Sequence, residues 1–389
     1  MSKVLVSGLG HLGSEVLHTL ARTGVTEIIG ADVDEKLGKG QVDEAIIANA
    51  ALGIYPKLQF RLIDLNDVKG TAELLKELQP DLIFNSADRF PYYRFHSDLP
   101  RDIAWRIAEA SPVGFCAALP FRLTLPYNLM RAVKESGVKS HVVITNDPCE
   151  VINPMLDKIG LAPTVGIGDF AHLVEPIRQT VSRKFNVPIQ SVKVFLLAHH
   201  STLHLFQRGI PPDGSTYFLK VLVDDKEITK KWRADEIMLD AVGGSRNKET
   251  AERPTNGAHD HHFTAGLAVG DMLAILNDTG EIRHCPGPIG LPGGYPVRLS
   301  AKGAEVYLPE EITLEEAIRM NTLAQKQEGI EEIKDDGTVV FTKQAVEIMS
   351  SVMNWNLKEF NVSECEKVAE DLEDRYREFV KSVRIGRKA

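Results

Sequence analysis

Short apolar runs alternate with amphipathic segments from Lys3 to about Asn146. The amphipathic segments have helical spacing and include Gly13–Arg22, Thr71–Leu78 and Leu129–Ser136. The apolar runs are VLVSG, EIIGAD, QFRLID, DLIFNS and HVVITN. Nearly continuous apolar runs are typical of parallel strands that are buried on both faces. The pattern therefore predicts an α/β fold with a doubly wound parallel sheet of the Rossmann type.

The pattern changes in the second part of the chain. Two helical segments near Pro154–Gly160 and Ala171–Phe185 are followed by the strand VKVFLLAHH and by a long polar stretch at 207–259. A helix at Ala265–Leu276 then leads through a Gly- and Pro-rich segment to the strand AEVYLP. Beyond this strand the chain is predicted to be mostly helical. Its charged amphipathic stretch from about residue 342 is expected to serve packing or an oligomer contact.

These patterns predict two domains. Residues 1–147 are expected to form a dinucleotide-binding Rossmann domain, and residues 148–389 a mixed α+β domain that supplies the substrate site and ends in helices. Some strands of the second part are expected to extend the first sheet or pack against it. A chain of 389 residues with 43% apolar and 25% charged content can bury a core of this size.

A glycine-rich turn follows the first apolar run. Gly8, Gly10 and Gly13, with His11 and Leu12 between the last two, have the spacing G-x-G-x-x-G at the start of a helix. In this context the first glycine permits a tight turn, the second lets a pyrophosphate approach the backbone, and the third lets helix and strand pack closely. The N-terminus of the helix then faces the phosphates with unpaired N–H groups.

Two carboxylates extend this site. Asp32 ends the next strand, about 20 residues further on, where a carboxylate can hydrogen-bond the ribose hydroxyls. Because a carboxylate at this place would repel a 2′-phosphate, the sequence favours NAD over NADP as the cofactor. Asp64, at the end of the third strand, is either an adenine-side contact or the cap of the next helix.

Charge and composition favour small-molecule chemistry. A formal net charge of -9 and a pI near 5.8 argue against nucleic acid or an anionic membrane as the main partner. The sequence shows no secretory signal and no apolar run long enough to span a membrane, so we expect a cytoplasmic protein that acts as a homo-oligomer. Four widely spaced cysteines without metal or disulfide spacing are expected to be free thiols: Cys116, Cys149, Cys285 and Cys365.

Most of the histidines lie in the second part, and the pair His199 and His200 follows an apolar strand. From this point the sequence resembles the lactate/malate dehydrogenase superfamily over most of residues 3 to 330. The segment HVVITNDPCEVINPMLDKIGLAPTVGIG resembles that family's strand, helix and Gly-x-Gly segment, with Asp147 inserted before Pro148. The segments VKVFLLAHHST, AHDHHFTAGLAVGDMLAIL and GGYPVRLSAKGAEVYLP are similar to its histidine strand, its pocket helix and its terminal strand pair.

The resemblance implies roles for individual residues. His200 matches the catalytic histidine, which accepts and returns the hydroxyl proton, and Asn146 lies beside the nicotinamide and the substrate. Asn128 falls near a helix that contacts the cofactor in the family. Counting from the Gly-x-Gly segment, His172 stands in place of the aspartate that orients the histidine. By the same count, Glu175 stands in place of the arginine that binds a substrate carboxylate.

These departures change the expected substrate. A glutamate would repel the carboxylate that an arginine fork binds, so plain lactate or malate is not expected. Arg178, one helical turn further on, either takes over this role or faces solvent. His172, Glu175 and His261 are expected to shape recognition. The sequence thus predicts an NAD-dependent dehydrogenase acting on a secondary hydroxyl of a small polar molecule such as a hydroxy acid or sugar acid.

The segment from Asp88 to Arg122 matches the mobile loop that closes over the substrate in the family. Its arginines would either stabilise negative charge in the closed site or form an ordinary surface or interface. Tyr92 and Tyr93 would line the pocket or form oligomer contacts. The arginines are Arg89, Arg94, Arg101, Arg106 and Arg122.

Two other functions stay open. The NAD-dependent family 4 glycoside hydrolases share this fold and hold a divalent metal with a cysteine and a later histidine, but here Ala171 and His172 stand at the Cys-His place. His172 and His200 could bind a metal with Asn146 or His261, although we expect hydrogen-bonded histidines without metal. The altered aspartate and arginine positions also permit a non-catalytic NAD sensor.

Overall fold

A single parallel sheet organises the first part of the chain. The computed structural model describes residues 2–25, 27–90, 94–110, 115–244 and 261–386. The strand order is β3-β2-β1-β4-β5-β6, which is the Rossmann order, and every pairing is parallel. The predicted α/β fold is therefore confirmed. The strands are β1 (Lys3–Ser7), β2 (Glu27–Asp32), β3 (Lys57–Leu62), β4 (Leu82–Asn85), β5 (His141–Ile144) and β6 (Val165–Gly166).

Helices connect these strands. Asp34 and Asp67 cap the second and third helices by accepting hydrogen bonds from Leu37 N and Gly70 N, which explains where these helices begin. The sixth helix is longer than the predicted segment Leu129–Ser136 because it continues through Pro120 and Pro126. The helices are α1 (His11–Leu20), α2 (Glu35–Ala50), α3 (Val68–Leu78), α4 (Arg94–Asp98), α5 (Arg101–Ala110), α6 (Phe115–Ser136) and α7 (Cys149–Asp157).

The sixth strand of the sheet comes from the second part of the chain. Val165 pairs with Val143 and Gly166 with Ile144, so β6 extends the first sheet beyond residue 147, as expected for some strands of that part. One apolar core cluster also includes Ile144 and Leu156 together.

A second, antiparallel sheet packs beside the first. Its strand order is β10-β11-β7-β8-β9, and β12 pairs with β11. Its strands are β7 (Val192–Ala198), β8 (Tyr217–Val223), β9 (Lys226–Glu227), β10 (Glu281–Pro286), β11 (Gly294–Ser300) and β12 (Gly303–Val306). The helices of this part are α8 (Val174–Phe185), α9 (His200–Gln207), α10 (Ala234–Gly244), α11 (His261–Leu276) and α12 (Leu314–Gln325).

The C-terminal part differs from the mostly helical prediction. It contains a three-stranded antiparallel sheet of β13 (Ile330–Ile333), β14 (Thr338–Phe341) and β15 (Glu359–Asn361). The stretch expected to be one amphipathic unit is divided into α13 (Lys343–Met353) and α14 (Cys365–Gly386), with β15 between them. Helix α14 packs on α6, so this part covers the Rossmann sheet. None of the described helices is both long and apolar enough to cross a membrane.

Candidate active site

The turn between β1 and α1 carries three glycines with different surroundings. Gly8 has a φ of +84°, and a Cβ there would lie 2.4 Å from the backbone nitrogen of Ala87. A Cβ on Gly13 would lie 1.7 Å from the carbonyl oxygen of Gly8, so helix and turn are packed too closely for any side chain. A Cβ on Gly10 would meet nothing within 4 Å. The turn therefore has a rigid frame and an open backbone at Gly10, as the spacing predicts.

The N-terminus of α1 faces the same opening. Gly10 is the N-cap and no side chain caps the helix, so its first N–H groups are available to an anion. Asp32 holds the turn in place, because its Oδ2 accepts a hydrogen bond from Leu9 N (2.6 Å) and its Oδ1 accepts one from Asp34 N (2.9 Å). Each carboxylate oxygen can accept a further hydrogen bond, so Asp32 remains suited to bind a hydroxyl group.

Asn146 is fixed where β5 ends. Its Nδ2 donates to the carbonyl oxygen of Ala87 (2.8 Å), and its Oδ1 accepts from Asn85 Nδ2 (2.9 Å). Because Asn85 ends the neighbouring strand β4, the ends of two strands hold this amide in one orientation. Asn146 lines the cleft that begins at the glycine turn.

Histidines form another part of the cleft lining. His200 Nε2 lies 3.0 Å from His204 Nε2, one helical turn further along α9, so one imidazole donates a hydrogen bond to the other. His172 Nε2 is hydrogen-bonded to Thr264 Oγ1 at 3.0 Å, and His172 packs edge-on against Phe263. All three histidines line the cleft, as does His261. The arrangement can exchange protons with a bound hydroxyl or carbonyl group.

Carboxylates and one arginine form the floor. Arg122 Nη1 donates to the carbonyl oxygen of Asp147 (2.8 Å), and Nη2 lies 3.3 Å from Asp88 Oδ2. Burial raises the pKa of Asp147 to about 6, although the nearby Arg122 charge opposes the shift, and burial also raises the pKa of Asp88. Among the described residues that line the cleft, Arg122 is the only lysine or arginine.

His199 and Glu150 lie behind the cleft and fix the turn that presents His200. Glu150 Oε2 accepts a hydrogen bond from the backbone N–H of His200 (2.5 Å) and lies 3.2 Å from His199 Nδ1. Burial lowers the pKa of His199 to about 3 and raises the pKa of Glu150 well above its ordinary value. His199 is therefore uncharged at neutral pH, and the two side chains together orient the start of α9.

These groups line one cleft of about 670 Å³, within the usual range for ligand sites. Two predicted residues lie outside its lining: Asn128 is buried in α6, and Glu175 pairs with Arg178 at 3.3 Å. The side chain of Arg101 and both Tyr92 and Tyr93 fall outside the described residues. The predicted residues that line the cleft are Gly8, Gly10, His11, Leu12, Gly13, Asp32, Asp64, Asn146, His172, His200 and His261.

The structure places beside His200 an acid that has no predicted role. The acid beside His200 is Asp169, whose Oδ1 lies 3.9 Å from His200 Nδ1, whereas His172 is hydrogen-bonded to Thr264. The sequence analysis also assigned no role to His204, although histidines four residues apart on a helix lie on one face. Asp169 directly follows the Gly-x-Gly segment, and this position was the available signal.

Comparison with known proteins identifies the fold of this chain. No family model and no curated protein matches the sequence. The lactate dehydrogenase from Cryptosporidium parvum, solved with lactic acid and nicotinamide adenine dinucleotide, is 16% identical with a TM-score of 0.58, over 84% of this chain and 95% of that chain. The lactate dehydrogenase MGS-M5 from a Medee basin deep-sea metagenome library is 16% identical with a TM-score of 0.56, over 90% and 99%.

The malate dehydrogenase from Cryptosporidium parvum is 15% identical with a TM-score of 0.56, over 84% of this chain and 96% of that chain. These proteins match nearly their whole length, so the likeness extends past the Rossmann sheet into the second part. The chain therefore has the lactate/malate dehydrogenase fold, as its sequence motifs suggested.

Proposed function

We propose that this chain is an NAD-dependent oxidoreductase that transfers a hydride between nicotinamide and a secondary hydroxyl of a small polar substrate, such as a hydroxy acid or sugar acid. The carrying observation is that one cleft joins the open glycine turn and Asp32 at one end to Asn146 and His200 at the other. That the chain has the fold of NAD-binding lactate dehydrogenase supports the same proposal.

The cofactor fits the residues present. The pyrophosphate would lie over Gly10, where the backbone is open, and against the N–H groups of α1. Asp32 would bind the ribose hydroxyls and disfavour a 2′-phosphate, and Asp64 lies on the wall of the same end of the cleft. When bound, NAD supplies the hydride acceptor, and the protein supplies binding, orientation and proton transfer.

The protein's own groups would handle the proton. In the proposed reaction His200, paired with His204, accepts the hydroxyl proton as the hydride leaves and returns it in the reverse direction. Asn146 is held rigidly enough to orient the substrate and the cofactor. His172 and His261 line the cleft and would contact the remainder of the substrate. Glu175, outside the cleft lining, is not part of this proposal.

The test has a binding arm and a turnover arm. Binding of NADH and NADPH is measured by fluorescence, and NAD reduction is screened over hydroxy acids, sugars and sugar acids, with and without divalent metal. We expect micromolar NADH binding, weaker NADPH binding and reduction with at least one substrate of these classes. His200→Gln should lower kcat at least about 100-fold while NADH still binds, because general acid–base catalysis contributes about this much.

A matched control is His262→Gln. His262 is an exposed histidine that contacts Glu15 and lies outside the cleft lining, so this variant should keep wild-type kcat. If NADH binds but no substrate is turned over, or if His200→Gln leaves turnover intact, the dehydrogenase proposal fails, and the first result favours an NAD sensor. We further propose that the enzyme is a cytoplasmic homo-oligomer, which light scattering of the purified protein tests for subunit number.

A further inference from the structure

Three donor groups converge where Asp147 and His200 line the cleft and the buried Asp169 lies next to them. A carboxylate oxygen of Asp147, a carboxylate oxygen of Asp169 and a ring nitrogen of His200 all lie within 4.8 Å of one another. Each residue lies shortly after the end of a strand. Asp147 follows β5, Asp169 follows β6, and His200 begins the helix after β7. Two neighbouring strands of the first sheet and one strand of the second sheet therefore position the three donors.

Asp169 is the member of this cluster whose carboxylate oxygens lack hydrogen-bond partners among the described residues. It is 1% exposed, so both Oδ1 and Oδ2 are buried. Its Oδ1 lies 3.9 Å from His200 Nδ1, which is too long for a hydrogen bond. Since a buried carboxylate without partners is costly, an ordered group with positive charge is the expected occupant of the space between these atoms.

The surrounding charge favours a cation as well. Asp88, Asp147 and Asp169 place three carboxyl groups at this end of the cleft, against the single guanidinium of Arg122. Arg122 is directed to Asp88 and to the carbonyl oxygen of Asp147, and its distance to the Asp147 carboxylate is 3.9 Å. The cluster thus retains donor oxygens that Arg122 does not engage through short hydrogen bonds.

We propose that Asp147, Asp169 and His200 bind one divalent transition-metal ion, and that a substrate hydroxyl, with a neighbouring carboxylate where present, completes its coordination. One imidazole and two carboxylates suit Mn²⁺, Fe²⁺ or Zn²⁺, whereas an all-oxygen set would suit Mg²⁺ or Ca²⁺. Three protein ligands leave open positions, so the ion can polarise the substrate oxygen. With Nδ1 on the metal, the proton of His200 lies on Nε2, which then donates to His204. In the ion-bound form His200 is therefore a ligand and not the proton acceptor, and polarisation of the substrate oxygen by the ion replaces the general-base role that His200 has in the ion-free site.

The proposed ion binding does not depend on the proposed oxidoreductase function. Only the role of the substrate hydroxyl as a further ligand rests on that function. The purified chain is stripped with a chelator and titrated with Mn²⁺ and with Zn²⁺ by calorimetry, and the metal content before stripping is measured by mass spectrometry. We expect one ion per chain, a Kd for Mn²⁺ or Zn²⁺ at least tenfold below that for Mg²⁺ or Ca²⁺, and a rise in Tm when the ion is added.

Asp169→Asn and Asp147→Asn should each raise the Kd about 100-fold. The matched control is Asp88→Asn, a carboxylate of the same floor outside the cluster, and its effect should be at least tenfold smaller. The inference is overturned by non-saturable titration of the wild type, by a wild-type Kd in Asp169→Asn, or by an equal effect of Asp88→Asn. If one variant does not fold, the other variant and the wild-type titration decide.

NADH binding is measured on the same stripped protein, so the two ideas fail separately. Loss of NADH binding with intact metal binding would refute the proposed oxidoreductase and leave the ion site standing. Absence of a metal site with intact NADH binding and turnover would refute the ion and leave the oxidoreductase standing.

Discussion

Acid should destabilise this protein through one buried histidine that lies outside the cleft lining. His284 lies on β10, is 8% exposed and packs edge-on against Phe170. Its Nε2 accepts a hydrogen bond from the backbone N–H of Leu196 (3.2 Å), so the ring must be neutral at that nitrogen. Burial, with smaller contributions from the charges of Arg178 and Arg283, lowers its pKa from 6.5 to about 3.

The direction and size of this stability change follow from the linkage between proton binding and folding. Because the folded pKa lies below the unfolded pKa of 6.5, the unfolded state binds the proton first as the pH falls. Stability is therefore fully present above pH 6.5 and is lost as the pH drops towards the folded pKa near 3. At pH 5 the solution lies about 1.5 pH units below the unfolded pKa, and each unit corresponds to roughly 1.4 kcal/mol. Protonation of His284 alone should therefore lower the free energy of unfolding by about 2 kcal/mol.

His284→Gln isolates this effect. The glutamine Oε1 can accept the Leu196 hydrogen bond, but it does not titrate, so all other ionisable groups contribute equally to both proteins. Free energies of unfolding from urea titrations at pH 7.5 and pH 5 give four values. Between the two pH values the wild type should lose about 2 kcal/mol more than the variant. Parallel losses in the two proteins would refute the assignment of a buried, neutral His284.

Four further substitutions test the cleft and the core. Gly10→Ala should keep the wild-type Tm but weaken NADH binding at least tenfold, whereas Gly13→Ala should lower both, because its Cβ would lie 1.7 Å from Gly8 O. Asp32→Ser should narrow or reverse the preference for NADH over NADPH, measured as a ratio of Kd values. Asp271→Asn should lower the free energy of unfolding, measured by urea titration, by roughly 3 kcal/mol. The reason is that Arg283, which donates to Asp271 at 2.7 Å, would lose its buried charge partner.

Local signals were sufficient for the sheet and the cofactor end of the cleft. The five predicted strands of the Rossmann part are β1 to β5. Continuous apolar runs mark the nearly fully buried strands β1, β2, β4 and β5, whereas the edge strand β3 alternates exposed and half-buried residues. The glycine turn and Asp32 lie close together in the chain and form a motif whose spacing follows from the geometry of one βα unit. Neither prediction needed information from distant residues.

The other end of the cleft depends on distant residues, and there the sequence was insufficient. Asp169 and His200 are 31 positions apart and meet only because β6 and β7 end on the same side. A count along one segment gives positions and not distances, so it could not show that Asp169, directly after Gly168, lies beside His200. The small sheet β13–β15 was missed because its strands are short and partly exposed, which leaves little alternation to detect.

Charge at the floor of the cleft sets a condition on any anionic substrate. A carboxylate placed about 4 Å from one ionised aspartate is repelled by roughly 4 kcal/mol at an effective dielectric constant of 20. Asp88, Asp147 and Asp169 all lie close to this part of the cleft. Arg122 offsets only part of this repulsion, because it already contacts Asp88 and Asp147. A divalent ion would neutralise the negative charge that Arg122 leaves and would chelate a hydroxyl together with its neighbouring carboxylate. Added Mn²⁺ should therefore lower the KM for 2-hydroxy acids at least tenfold while lowering that for neutral polyols much less, and equal effects on both would contradict this electrostatic account.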